Sequence, residues 1–426
     1  MLGPGGAVKK LTRLTGGANM ESWSFDRDGR GYVLRRGPRA ELMAGRTYGH
    51  DTEAALIRLA RSHGVKAPEV VGELAPEDGL GSGYLMRRVE GTADPRQLLA
   101  DPARGLLDDF ARELARIHSI GLDEVPDGVS RTETAEMVDA LAAHFESHGG
   151  DRPVMALALS WLRDHLPPPA PPVLLHGDFR IGNLMAAASG LTAVLDWELA
   201  HVGDRHQDLA YGCINSWRFG RIDQPAFGIG QLPELFAAYE RESGVAVDPA
   251  RFRFWLVYST LWWGLTSLEM AEIWRSGRDR SLERAVIGRR ASETEVDLLM
   301  LLEEDAPEAE RSPVHFPDPA PVRRQGEPSP TELLEALAEW IHRDVKPQLA
   351  GRDRFQANVA LNALGMLTRE AALPFDRELS DDLLAGRANL ATPGLLARLK
   401  RETLAKLVAD QPKYSALKIA QERWRG

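Results

Sequence analysis

Residues 173–185, VLLHGDFRIGNLM, gather side chains whose types and spacing suit phosphoryl transfer. An apolar run at 173–175 delivers His176, Gly177 and Asp178 into a loop, and Asn183 follows in an Asp-x-x-x-x-Asn arrangement. A Ser189-Gly190 turn then leads into a second apolar run that ends at Asp196. Moving a phosphoryl group requires little covalent work from a protein; positioning and charge neutralisation dominate. A carboxylate must orient the attacking hydroxyl and accept its proton, and Asp178 is the candidate. Cations that bridge nucleotide phosphates are hard and prefer oxygen ligands, so Asn183 and Asp196 suit Mg²⁺.

Such a loop needs a scaffold. Before residue 90 the sequence reads as short strands at 22–25, 32–35, 69–74 and 84–89, with one helix at 51–62 that lines up Leu56, Leu59 and Ala60. After Gly91 helices dominate, and Leu107, Phe110, Leu114 and Ile117 mark an amphipathic one. The apolar stretch at 254–268 is short and rich in Ser, Thr and Gly, which predicts a buried helix rather than a membrane span. Prolines at 307, 313, 317, 319, 321, 328 and 330 then mark an extended linker. A helix start follows: Ser329 can cap, Pro330 fits the first turn, and Glu332 completes a capping box. Further helices are expected at 354–373, 380–385 and 393–409.

The segments HGDFRIGNLM, LDWE and GDRHQDLAY, taken together, resemble the aminoglycoside phosphotransferase and choline kinase family. The long form VLDWELAHVGDRHQDLAY is nearest the branch of kinase domains associated with acyl-CoA dehydrogenases. The resemblance spans roughly the first 300 residues and is densest between Leu174 and Tyr211. It implies an α+β, bilobal protein-kinase-like fold: a small mixed β-sheet N-lobe at 1–90 and a larger, mostly helical C-lobe at 91–306. The linker at 307–329 and an all-α accessory domain at 330–426 follow, the latter resembling an uncharacterised helical domain found beside kinases of this branch.

The resemblance also implies ATP and Mg²⁺ as cofactors and assigns further positions. Gly16, Gly17 and Asn19 match the turn that approaches nucleotide phosphate, and Met86, Arg87 and Val89 match the stretch that edges adenine. Arg35 stands where the family pattern has lysine, with Glu53 as its helix partner; a planar fork there replaces a compact point charge. Arg36 takes that place if the register slips by one, although strand alternation points it to the opposite face. His176, Arg180 and Asp208 are supporting residues, His176 and Asp208 by bracing the loop.

The expected activity is transfer of the ATP γ-phosphate to a hydroxyl of a small metabolite. A hydroxyacyl-CoA is the acceptor that the branch suggests. Arg275, Arg278, Arg280, Arg284, Arg289 and Arg290 could attract coenzyme A phosphates, although such clusters are more often solvated faces. An aminoglycoside acceptor and a pseudokinase that serves as a binding module are the alternatives. His201, Asp204, His206 and Asp208 lie close together, but a hydrolytic metal site there is not favoured. The formal charge of −10, from 62 acidic against 52 basic residues, makes nucleic acid a poor partner. A single cysteine, Cys213, excludes an intrachain disulfide and a Cys-only metal cluster. Residues 1–10 lack the apolar core of a secretory leader, so the expected location is cytoplasmic. The polar patch of Asp353, Arg354, Gln356, Asn358 and Asn362 leaves docking onto the rest of the chain, self-association and a protein partner all open for the C-terminal helices.

Overall fold

The computed structural model describes residues 6–14, 20–38, 46–314, 330–369 and 376–424. The chain packs as two compact units, residues 1–134 with 167–256, and residues 135–166 with 257–426.

The first unit opens with strands β1 (Lys9–Arg13), β2 (Glu21–Arg27) and β3 (Arg30–Gly37), then helix α1 (His50–Ser62), then strands β4 (Val70–Glu73) and β5 (Ser82–Arg87). They form a five-stranded antiparallel sheet in the order β1-β2-β3-β5-β4. Apolar alternation on β2, β3 and β5 buries Phe25, Tyr32 and Leu85 in one cluster, with Leu34 and Val71 packed against it. α1 buries Ala54, Leu56, Ile57 and Ala60, and with them the carboxylate of Glu53. Beyond the sheet come α2 (Pro95–Ala100) and α3 (Leu106–His118), whose Phe110, Leu114 and Ile117 are fully buried. Helices α4 (Thr134–His148) and α5 (Pro153–Asp164) belong, but for Thr134, to the second unit.

The chain returns to the first unit with two small antiparallel pairs: β6 (Val173–Leu175) with β9 (His201–Gly203), and β7 (Leu184–Ala187) with β8 (Gly190–Val194). α6 (Arg205–Tyr211) and α7 (Leu232–Ser243) follow, and α8 (Pro249–Arg275) begins. Phe179 locks the loop after β6 into the core, stacking edge-on to Phe110 and Phe227 at centroid distances of 6.2 and 5.9 Å.

The second unit takes the rest of α8, then α9 (Leu282–Ile287), α10 (Ala291–Leu302), α11 (Pro330–Trp340), α12 (Gly351–Arg369), α13 (Arg377–Leu384), α14 (Leu395–Asp410) and α15 (Ser415–Trp424). The expected buried helix at 254–268 lies within α8, and no described helix is long and apolar enough to cross a membrane. α11 starts at Pro330 as the capping pattern predicts; Ser329 lies outside the described residues. Two buried carboxylates organise this unit. Glu295 receives Lys406 at 3.0 Å and Arg152 at 3.2 Å. Glu303 receives the buried Lys400 at 2.8 Å, Arg423 at 2.5 Å and the Trp424 indole at 2.9 Å. Each lies on or just after α10, so α14 and α15 are pinned there by charge as well as by apolar contact.

Candidate active site

β6 ends in a loop that only a glycine permits. Gly177 has φ +80, and a Cβ there would lie 2.1 Å from the Leu199 carbonyl oxygen. Asp208 on α6, fully buried, accepts hydrogen bonds from the backbone amides of His176 at 2.7 Å and Gly177 at 2.9 Å. His118 at the end of α3 reaches the same carboxylate through Nε2 at 3.3 Å. The His176 ring accepts the Asp178 amide at Nδ1, so Nε2 carries the proton and donates to the Leu195 carbonyl at 3.0 Å. His176 and Asp208 thus both hydrogen-bond the backbone of this segment.

Asp178 stands at the head of this loop. Arg180 Nε donates to it at 2.7 Å, and the Arg180 guanidinium lies 4.1 Å from the centre of the Trp217 ring. The Tyr211 hydroxyl and the Asn183 amide also hydrogen-bond the Asp178 carboxylate. Asn183 thus commits its NH₂ to Asp178, and its Oδ1 is the atom able to ligate a cation. Burial raises the Asp178 carboxyl above its ordinary value despite Arg180 beside it. A carboxylate with raised basicity, held by donors, is suited to taking a proton.

Asp196 follows β8 on a backbone with φ +66, a left-handed conformation unusual for a side chain of this kind. The Leu195 amide bonds the Asn183 carbonyl at 2.8 Å, tying the two oxygen-bearing residues together. Arg35 from β3 reaches Asp196 at 2.6 Å and Glu198 at 2.9 Å, and its Nε lies 3.4 Å from Glu53. Arg36 turns to the other face of the strand and pairs with Glu21 at 2.9 Å, as alternation requires. The nearer cation on Glu53 is Arg46, at 2.7 Å, which also reaches Glu198 at 2.7 Å. The Tyr84 hydroxyl donates to Glu53 at 2.8 Å.

Arg46, Tyr84 and Glu198 were not among the sequence candidates. Glu198 stood in the LDWE segment, where it could have been found; Arg46 has no local pattern that would reveal it. Two guanidinium groups here face three carboxylates, Glu53, Asp196 and Glu198. Burial tends to raise the Asp196 carboxyl, but Arg35 and Arg180 hold it below its ordinary value. Burial and the neighbouring Asp196 push Glu198 up instead. The excess of negative charge, with the Asn183 amide oxygen nearby in sequence and structure, fits a hard divalent cation that keeps water or phosphate oxygens as its other ligands.

Other expected positions fare differently. Gly16, Gly17 and Asn19 lie outside the described residues. The Arg87 amide is taken by the Glu69 carbonyl at 2.8 Å, and its guanidinium covers the Tyr32 ring at 4.5 Å. Met86 lies mid-strand opposite Val33 and Val70. Val89, past the end of β5, makes no backbone–backbone hydrogen bond among the described residues, so its peptide groups remain open to a ligand. Asp204 caps α6 and pairs with His206 and Arg251, while His201 bonds Leu199 and Gln207. The described residues contain no His, Cys, Asp and Glu group arranged to hold a metal by itself. Of the six arginines near α9, Arg284 pairs with Asp279, Arg289 with Asp410 and Arg290 with Glu293, which gives those three structural roles.

The family model described as the phosphotransferase enzyme family matches residues 10–255. Among curated proteins, the chain is 26% identical to the probable acyl-CoA dehydrogenase IBR3 of Arabidopsis thaliana, over 73% of this chain and 40% of that protein. It is 28% identical to acyl-CoA dehydrogenase family member 11 of Gallus gallus, over 60% of this chain and 35% of that protein. The chain thus spans less than half the length of these relatives. Among solved structures, a protein assigned as an aminoglycoside phosphotransferase from Ralstonia eutropha superposes with a TM-score of 0.56 at 19% identity, covering 71% of this chain and 94% of that one. A thermostable mutant of aminoglycoside phosphotransferase APH(4)-Ia gives 0.50 at 21% identity, covering 70% and 96%. At these identities the likeness is one of fold: a small sheet followed by a larger helical region, with further helices at the C-terminus.

Proposed function

Because the chain belongs to the phosphotransferase enzyme family, we propose that it transfers the γ-phosphate of ATP to a hydroxyl group of a small metabolite in the cytoplasm. The observation that carries this reading is the loop of Asp178, which sets a buried, donor-held carboxylate beside the Asn183 amide. Asp178 orients the acceptor hydroxyl and takes its proton, and Arg180 fixes the Asp178 carboxylate against Trp217. Asn183 Oδ1 and Asp196 hold Mg²⁺, which when bound neutralises charge on the phosphate oxygens. Arg35 and Arg46 set the positive side of the phosphate site, and Glu53 holds both guanidinium groups in place. The peptide groups at Val89 receive the adenine edge, and Gly16, Gly17 and Asn19 are the residues assigned to the nucleotide phosphates. The working division is an N-lobe to residue 90, a C-lobe to residue 306, and an accessory helical domain from residue 330 that offers a surface for self-association or a protein partner.

A hydroxyacyl-CoA is the first acceptor class to try, since the curated relatives are named for acyl-CoA chemistry. An aminoglycoside acceptor is the second. The deciding experiment is ATP titration with and without Mg²⁺, on the wild type and on Asp196→Asn. Metal-dependent binding that disappears in the variant supports the reading. Absence of ATP binding under every condition refutes it and favours a binding module. Should ATP bind, a screen of hydroxyacyl-CoAs against aminoglycosides identifies the acceptor.

A further inference from the structure

Within the first unit a cavity of about 290 Å³ opens between α3, the start of α6 and the end of α7. It shares no lining residue with the Arg35–Asp196 cluster, and its volume is near the lower edge of small-molecule sites, too small for a nucleotide. Arg112, Arg116 and Arg205 line it together with His118, Glu242 and Ser243. Arg112 is held by Asp109 at 2.6 Å and lies 3.4 Å from Glu242; Arg116 is held by Glu113 at 2.7 Å. Each of these guanidinium groups carries five N–H donors, so both keep donors beyond those contacts. Arg205 differs. Among the described residues it has no carboxylate partner, and its side chain makes one long hydrogen bond, to the Tyr239 hydroxyl at 3.4 Å.

Three arginines line a small, partly open cavity beside the single carboxylate of Glu242, and Arg205 has no carboxylate partner among the described residues, so the cavity has cationic donors to offer an oxyanion. A tetrahedral phosphate offers enough oxygens to satisfy all three forks at once, whereas a carboxylate offers two. The cavity wall also leads inward. His118 bonds Asp208, and Asp208 holds the backbone amides of His176 and Gly177 at the head of the Asp178 loop. We propose that this cavity is a second binding site, for a phosphate-class oxyanion, joined to the Asp178 loop through His118 and Asp208. The proposal concerns binding and stands whether or not the chain phosphorylates a metabolite.

The test is calorimetric titration of the full chain with inorganic phosphate, with glycerol 3-phosphate to distinguish a monoester from the free ion and acetate as the carboxylate control. Saturable phosphate binding is expected, weakened about tenfold or more in Arg205→Gln, the loss of one charge-assisted pair. Ser119→Glu, a change at an exposed lining position that leaves the core untouched, should weaken it similarly by repulsion. Arg35→Gln should leave this binding intact. Tighter binding of glycerol 3-phosphate than of phosphate would identify the ligand as a monoester; equal or weaker binding would identify the free ion. Phosphate should also slow amide hydrogen exchange at 176–177. Absence of saturable binding, equal affinity in Arg205→Gln and Ser119→Glu, loss confined to Arg35→Gln, or acetate binding as tightly as phosphate would each overturn the site. Unchanged exchange at 176–177 would overturn the link to the loop.

Discussion

Replacing Arg46 by Gln should loosen α1, and the size of the effect can be worked from its contacts. Arg46 makes two hydrogen-bonded ion pairs of 2.7 Å, to Glu53 and to Glu198. Such bonds contribute about 1.5–3 kcal/mol each. Glu53 is wholly buried and loses close to the full amount, whereas the Glu198 side chain is 26% exposed and recovers some of its loss from water. The expected cost is therefore about 3–4 kcal/mol. Glu198→Gln removes a carboxylate from a cluster that already has one too many, so its cost should be about 1 kcal/mol or less. Glu198 is also one of the carboxylates that lose a cation in Arg46→Gln, keeping Arg35 as its partner. Arg46→Gln/Glu198→Gln together should then cost less than the sum, with a coupling of about 1.5 kcal/mol. Native-state hydrogen exchange of α1 peptides reads the local opening free energy without assuming that the two units unfold together. Additivity within about 0.5 kcal/mol would show that the Arg46–Glu198 contact carries no weight and that the charge count is wrong.

Four further outcomes follow from the same geometry. Asp178→Asn should lower turnover of an accepted substrate roughly 10²- to 10⁴-fold while Mg-ATP binding persists; retention of more than about a tenth of the rate would remove Asp178 from the proton-transfer role. Since burial holds the Asp178 carboxyl above its ordinary value, wild-type turnover should fall with acid at a pH above the usual carboxylate range, and a profile flat to about pH 4 would contradict this. Glu198 is raised by burial and by Asp196, so protonating it removes the excess negative charge; Mg²⁺ affinity should rise as pH climbs through a range above the usual carboxylate one, and Glu198→Gln should flatten that rise. Gly177→Ala combines a left-handed backbone, costing about 1–2 kcal/mol, with a Cβ 2.1 Å from a carbonyl oxygen. It should unlock the loop, seen as faster exchange at 176–178, and normal protection there would refute the steric argument.

Much of the scaffold is legible because the patterns are local. The apolar run at 173–175 is the observed β6, and the helix expected at 51–62 is α1 with one residue added. Strand alternation alone separates Arg35 from Arg36. β1 is harder to read: all five of its residues are exposed, so no apolar alternation marks it. α15 is absent from the expectations, although Ala416, Leu417, Ala420 and Trp424 are buried on one side of it. Its amphipathic stripe is short and lies among charged residues. The site is legible where its residues share one segment, as Asp178 and Asn183 do. Arg46 and Glu198 are far apart in sequence, and only folding brings a guanidinium from before α1 onto a carboxylate after β8. The arginines near α9 illustrate the opposite hazard, since closeness in sequence hides three separate carboxylate partners.

The Glu303 cluster bears on how this chain can change over generations. Lys400, Arg423 and the Trp424 indole all converge on one carboxylate that sits just after α10. A lineage that kept these helices and Glu303 but lost Lys400 would leave a buried charge short of a cation, at a cost of about 3–5 kcal/mol. Helices exchanged into this place are thus constrained to bring a cation to the carboxylate. Among sequences that share the two helices, an acidic residue at position 303 should be kept together with Lys400 and Trp424. Glu303 and Lys400 would then be inherited as a pair, changing together or not at all.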